Sequence, residues 1–141
     1  MKTLMGLAGL TMAGFMLLSC NTEVKEANYQ IIPLPQEISV MDQAAPFILS
    51  NGTKIMYPEG NEKLQRTAEF LASYIKEATG ITVRTTTEAA KKNSIILAVD
   101  SSITNKEGYQ LEVTSENIHL NGGSESGVFY GCLLYTSPSP R

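Results

Sequence analysis

Four side chains in this sequence could do chemistry by type: Cys20, Asp100, His119 and Cys132. His119 is the one histidine, and histidine is the usual general base or pH switch near neutrality. It stands between Ile118 and Leu120 in an alternating run, so it falls on the polar side of a strand. No Asp or Cys partner is placed beside it, and the reading is a solvent-facing strand residue. Asp100 ends an apolar run, and strand ends often carry sites. With Ser101 and Ser102 behind it, however, Asp100 reads first as a turn former or cap. One His and two Cys cannot supply the three or four ligands of a Cys/His metal cluster. No phosphate-binding glycine loop, G-x-S-x-G elbow or H-E-x-x-H pair occurs. From the residues alone, no catalytic, substrate-binding or metal residue is assigned and no cofactor is implied.

The elements that would position such residues fit one domain, since the chain has 141 residues. Lys and Arg number 11 against 14 Asp and Glu, a mildly acidic balance that argues against a nucleic-acid-binding surface. Apolar residues make up 43% and charged residues 18%, so neither disorder nor a coiled coil describes the whole chain.

The N-terminus reads as a targeting segment. Lys2 precedes an uncharged run from Leu4 to Leu18, which suits a secretory signal and is short for a membrane span. Leu17-Leu18-Ser19-Cys20 resembles a bacterial lipobox, in which the cysteine is lipidated and becomes the first mature residue. Residues 1–19 are therefore expected to be a lipoprotein signal peptide. Cys20 is the expected lipidation site, and two or more acyl chains would hold it stably to a membrane. Residues 20–28 are polar and read as a tether. Cys132 then has no disulfide partner. The expected location is the bacterial cell envelope, lipid-anchored at the outer membrane or facing the periplasm.

Beyond the tether the pattern is α+β. Pro33 and Pro35 force an extended path. Strand signals follow at 38–40 and 47–49, and Asn51-Gly52 ahead of Lys54-Ile55-Met56 signals a hairpin turn. In 62–79 the residues Leu64, Ala68, Leu71, Ile75 and Ala78 mark one face of a helix that Phe70 and Tyr74 widen. Asn61 is its expected N-cap, Gly80 its left-handed C-cap and Glu62–Arg66 an i,i+4 pair. Residues 81–87 are β-branched and alternate, as in a strand. The run 94–99 reads as a central strand buried on both faces. Residues 109–121 read as a hairpin with one polar face, and 124–127 as the start of a second helix.

Four segments in order carry a family resemblance: Ile31-Ile32-Pro33-Leu34-Pro35-Gln36, the helix ending at Thr79-Gly80, Glu107-Gly108-Tyr109-Gln110-Leu111, and Ser126-Gly127-Val128-Phe129-Tyr130-Gly131. Together they resemble the N-terminal domain of bacterial β-N-acetylhexosaminidases, the family 20 glycoside hydrolases, over residues 29–131. The resemblance implies a β-sheet with two helices on one face, packed against an eight-stranded α/β barrel that follows in sequence. The matched residues have structural jobs: the glycines allow turns or close backbone approach, and Phe129 and Tyr130 are expected to pack the second helix under the sheet.

In that family an adjacent Asp-Glu pair in the barrel carries the reaction. The Glu is the general acid, and the Asp orients the substrate's 2-acetamido group, whose oxygen attacks the anomeric carbon. This sequence has no Asp-Glu dipeptide, and its two Asp are Asp42 and Asp100. Residues 132–141, with Pro138 and Pro140, depart from the family pattern. They are read as a non-native tail that truncates the second helix after barely two turns and leaves Val128, Phe129, Leu133 and Leu134 exposed. The expected function is thus the non-catalytic N-terminal part of an exo-β-N-acetylhexosaminidase. It would meet its glycan substrate through the barrel and the membrane through the anchor, with no nucleic acid. The alternatives are the front domain of another glycosidase, hyaluronidase-like or an O-linked N-acetylglucosamine hydrolase, or a non-catalytic envelope lipoprotein that binds glycan.

Overall fold

The computed structural model describes residues 35–39, 45–89 and 91–136. The expected signal peptide, Cys20, the tether, the start of the Ile31–Gln36 motif and the tail beyond 136 lie outside the described residues. Seven elements follow one another: β1 (Lys54–Met56), α1 (Glu62–Thr79), β2 (Arg84–Thr86), β3 (Ser94–Val99), β4 (Tyr109–Val113), β5 (Asn117–Gly122) and α2 (Glu125–Thr136). The five strands form one sheet in the order β2-β1-β3-β5-β4. All neighbours run parallel except β4 against β5. The fold is α+β, with both helices on one face, as expected.

α1 forms where its periodicity and caps require it. The Leu64 N–H donates to Asn61 Oδ1 at 3.0 Å, which satisfies a donor that the helix itself leaves open. Gly80 closes the other end at φ 76°, and its N–H reaches the Lys76 carbonyl at 2.8 Å. Leu64, Thr67, Ala68, Leu71 and Ile75 are the buried face. Ala78, expected on that face, is exposed. Glu62 and Arg66 pair at 4.0 Å on the solvent side, a contact worth little.

The Asn51-Gly52 turn exists, closed by the Thr53 N–H on the Ser50 carbonyl at 2.9 Å. It does not make a hairpin. Residues 47–49 are not a strand, and β1 pairs in parallel with β2 and β3 instead. Residues 38 and 39 are likewise not strand. Phe47 and Leu49 pack against the edge of the core as irregular chain. The strand expected over 81–87 narrows to Arg84–Thr86, an edge strand on β1.

β3 is central, but only one of its faces is sealed. Ile95 and Leu97 are buried under the helices with Ile55, Ile118 and Leu120, whereas Ile96 and Ala98 on the other face are half-buried. Burying side chains of this size contributes about 1.5–3 kcal/mol each. The β4–β5 hairpin is present, with Leu111 opposite Leu120 and Glu112 opposite His119.

α2 differs from expectation in length and in rotation. It spans 12 residues, more than three turns. Its sheet side is built from small residues: Gly127, Val128, Gly131 and Cys132 are buried, while Phe129 and Tyr130 are turned outward at 36% and 41% exposure. The two aromatics therefore do not pack beneath the sheet. Val128 is not exposed, and Leu133 is half-buried. The physical reason is separation. A Cβ at Gly127 would overlap the Gly108 carbonyl, and one at Gly131 would overlap the Leu120 side chain. A helix this close to the strands leaves no room for rings on its inner side. Gly127 is thus explained by its approach to the Gly108 carbonyl, whereas a side chain at Gly108 would meet Asn105 and Ile103.

Candidate functional site

Asp100 does what its local sequence suggests. Its Oδ1 accepts from the Ser102 N–H at 2.8 Å, and hydrogen bonds from the Ser102 side chain and backbone hold its carboxyl below the usual range. It closes a turn after β3 and faces no cleft partner.

His119 is half-buried rather than open, on the sheet face away from the helices. Its cross-strand neighbours are Ile96 on β3 and Glu112 on β4. The Glu112 neighbour follows from hairpin register alone: if 117 folds back on 114, then 119 meets 112. Cys132 is fully buried and free, and burial pushes its thiol up to about 12. That is the opposite of a reactive thiolate. No group of three metal-ligating side chains occurs among the described residues. None of their helices is long and apolar enough to cross a membrane.

Two shallow clefts stand out among the described residues. One, of about 210 Å³, lies beside the starts of β3 and β5 between Phe47, Ile48, Lys92, Asn93, Ser115 and Glu116. Its carboxylate is neutralised by Lys92, whose ammonium is held above its ordinary range chiefly by the hydrogen bond to Glu116. The other, of about 250 Å³, lies between the helices and is lined by Lys63, Thr67, Glu125, Ser126, Phe129 and Tyr130. Glu125 sits below the usual carboxylate range, first through a backbone N–H at the start of α2 and then through the Asn61 amide at 3.3 Å. A glycosidase general acid needs the reverse, a carboxyl raised so that it keeps its proton. Neither cleft sets two carboxylates across from each other, the arrangement most glycosidases use.

What the surface does offer is a row of aromatics across the outer helix face. Ring centroids step from Tyr74 to Phe70 at 6.5 Å, from Phe70 to Phe129 at 5.6 Å and from Phe129 to Tyr130 at 6.2 Å. Phe70 and Tyr130 are each 41% exposed. The sequence pattern puts Phe70 in the core stripe. The helix instead presents it sideways to α2, and the outward rotation of Phe129 completes the row.

The architecture agrees with a known domain. The family profile for glycosyl hydrolase family 20, domain 2, matches residues 28–133. The chain belongs to that family. A lacto-N-biosidase from Bifidobacterium bifidum is 28% identical over 93 residues, covering 64% of this chain and 8% of that protein. The family 20 β-N-acetylhexosaminidase of Streptomyces coelicolor superposes with a TM-score of 0.63 at 26% identity, over 74% of this chain and 20% of that one. A mutant Streptomyces plicatus β-hexosaminidase, solved with its product N-acetylglucosamine, shares the fold at 23% identity and a TM-score of 0.65, again over 74% and 20%. The chain thus spans a small part of each relative. It is the N-terminal, family 20 type of domain, and its fold is that of the corresponding part of those enzymes.

Proposed function

We infer that this chain is the non-catalytic front part of an exo-β-N-acetylhexosaminidase. The parent removes terminal N-acetylhexosamine from glycans, and the substrate's own acetamido group serves as nucleophile. The observation that carries this reading is the family 20 match over residues 28–133. It falls on a fold whose two clefts hold single, already committed carboxylates, Glu116 and Glu125. Chemistry in the parent therefore belongs to another part of the polypeptide, where the adjacent Asp-Glu pair is expected. Similarity to the Streptomyces coelicolor enzyme and to the lacto-N-biosidase supports a glycosidase acting on amino-sugar glycans.

The contribution of this domain is a surface. Gly127 and Gly131 let α2 lie close on the sheet. That packing turns Phe129 and Tyr130 outward beside Phe70 of α1, and together they offer one apolar face against which the catalytic part can seat. The lipobox-like Leu17–Cys20 supports anchoring of the parent at the cell envelope.

The test is the genomic sequence downstream of the Gly131 codon. The expected result is an open frame that encodes a barrel with an adjacent Asp-Glu pair. A frame that closes directly after Arg141 overturns this reading and leaves a glycan-binding envelope lipoprotein. A barrel with a different carboxylate arrangement points to another glycosidase.

A further inference from the structure

The sequence holds two Asn-Gly dipeptides, Asn51-Gly52 and Asn121-Gly122, and the fold treats them in opposite ways. Glycine after asparagine leaves its backbone nitrogen open to approach, because no side chain stands in the way. Asn51 and Gly52 are both exposed, in the turn ahead of β1. None of the described residues accepts a hydrogen bond from the Gly52 N–H. Asn51 Oδ1 already accepts the Thr82 N–H at 2.9 Å. A donor on that oxygen polarises Cγ and stabilises the negative charge that develops there when a nucleophile adds.

Asn121 and Gly122 lie inside β5, paired on one side with Ala98 and Val99 and on the other with Gln110 and Tyr109. Gly122 is buried, its carbonyl accepts from the Asp100 N–H at 2.8 Å, and backbone of α2 crowds its Cα.

We propose that Asn51 is a site of spontaneous deamidation in the folded protein and that Asn121 is shielded from the same reaction. The Gly52 backbone nitrogen attacks Asn51 Cγ and loses its proton. The side-chain amide leaves as ammonia, and a five-membered succinimide closes. Water then opens the ring at either carbonyl. One opening leaves an ordinary aspartate at this position, whose carboxylate can keep the Thr82 N–H. The other gives the iso-linkage, in which the main chain runs through the side chain and gains a methylene. The iso-linkage falls between Ser50 and Thr53, whose backbone bond at 2.9 Å closes the turn, and so it loosens the start of β1.

The test is incubation of the full chain in warm, mildly alkaline buffer, beside the same chain in concentrated urea. Proteolysis and mass spectrometry then read the gain of about 1 Da in the peptides that carry each dipeptide. In native buffer Asn51 is expected to convert within about three-fold of its rate in urea, and Asn121 at least about ten-fold more slowly than in urea, because its strand must first open. The Gly52→Ala variant is expected to lose the Asn51 conversion. Its new methyl group meets only ordinary contacts, 3.5 Å to Asn93 Nδ2 and 3.7 Å to Ser50 Oγ, so the fold is kept. Equal protection of both sites in native buffer, equal exposure of both, or undiminished conversion in Gly52→Ala would each overturn the proposal.

Discussion

The Thr53 hydroxyl donates to Asn93 Oδ1 at 2.6 Å, and this bond ties the residue before β1 to the residue before β3. Asn93 is held on every side. Its amide donates to Ser50 Oγ at 3.2 Å, its N–H to the Glu116 carbonyl at 2.7 Å, and its own carbonyl accepts from the Lys54 N–H at 3.1 Å. It adopts φ 55°, and no other described residue apart from glycines has a positive φ. Asparagine tolerates that region better than most residues. Thr53 itself is fully buried, and its hydroxyl oxygen also accepts from the Ser50 N–H at 3.0 Å.

Asn93→Ala should therefore destabilise the domain by about 2–4 kcal/mol, since it removes the side-chain bonds to Thr53 and Ser50 and strains the backbone. Asn93→Gly should cost less, because it relieves the strain while losing the same side-chain bonds. Urea denaturation of both variants checks the order. Equal losses would show that the backbone conformation contributes nothing.

Local features of the fold are legible in the sequence, and those that depend on distant chain are not. α1 announces itself through Leu64, Ala68, Leu71 and Ile75 and through its caps at Asn61 and Gly80. β3 and the β4–β5 hairpin are equally visible in their alternation. Asn51-Gly52 signals a turn, but turn chemistry says nothing about partners. β1 pairs with strands 30 or more residues away, in parallel, and no local signal encodes that. The rotation of α2 escapes the sequence because ring size suggests burial for Phe129 and Tyr130. The informative residues are the small ones, Gly127, Val128, Gly131 and Cys132, which recur at helical spacing and mark the side that lies close to the sheet. No reactive constellation is legible, and none is found among the described residues.

Gly127→Ala should cost at least about 3 kcal/mol, because its methyl group meets the Gly108 backbone carbonyl, which cannot rotate away. Gly131→Ala should cost about 1–3 kcal/mol, since the atom it meets is the end of the mobile Leu120 side chain. Thermal melts of the two variants test this order. A Gly127→Ala protein as stable as the parent sequence would remove the physical basis for the motif.

Cys132 makes stability depend on alkaline pH. Its thiol rises from an ordinary 9.0 to about 12 in the fold, so the folded state holds the proton more tightly than the unfolded one. The contribution is fully present below pH 9.0 and is lost progressively as pH rises towards about 12. Cys132→Ala should be somewhat less stable at neutral pH, through the cavity it leaves, yet lose less stability between those limits. Denaturation curves at several alkaline pH values, compared between the two proteins, check the difference. Parallel pH profiles would count against it.

The aromatic row should matter to the parent enzyme more than to this domain. Phe70→Ser with Phe129→Ser is expected to lower the unfolding midpoint of the isolated chain, because the ring centroids lie 5.6 Å apart and more than half of each residue is covered. The same pair in the complete enzyme should lower its melting temperature further, as apolar contact with the catalytic part is also lost. A complete enzyme that loses no more than the isolated chain would mean that the row faces solvent there too.

The most direct measurement is hydrolysis of aryl N-acetyl-β-glucosaminide and N-acetyl-β-galactosaminide, assayed in parallel for the complete gene product and for this 141-residue chain. The account predicts release of the aryl group by the complete product and none above buffer by the chain. Hydrolysis by the chain itself, or inactivity of the complete product on both sugars, would contradict it.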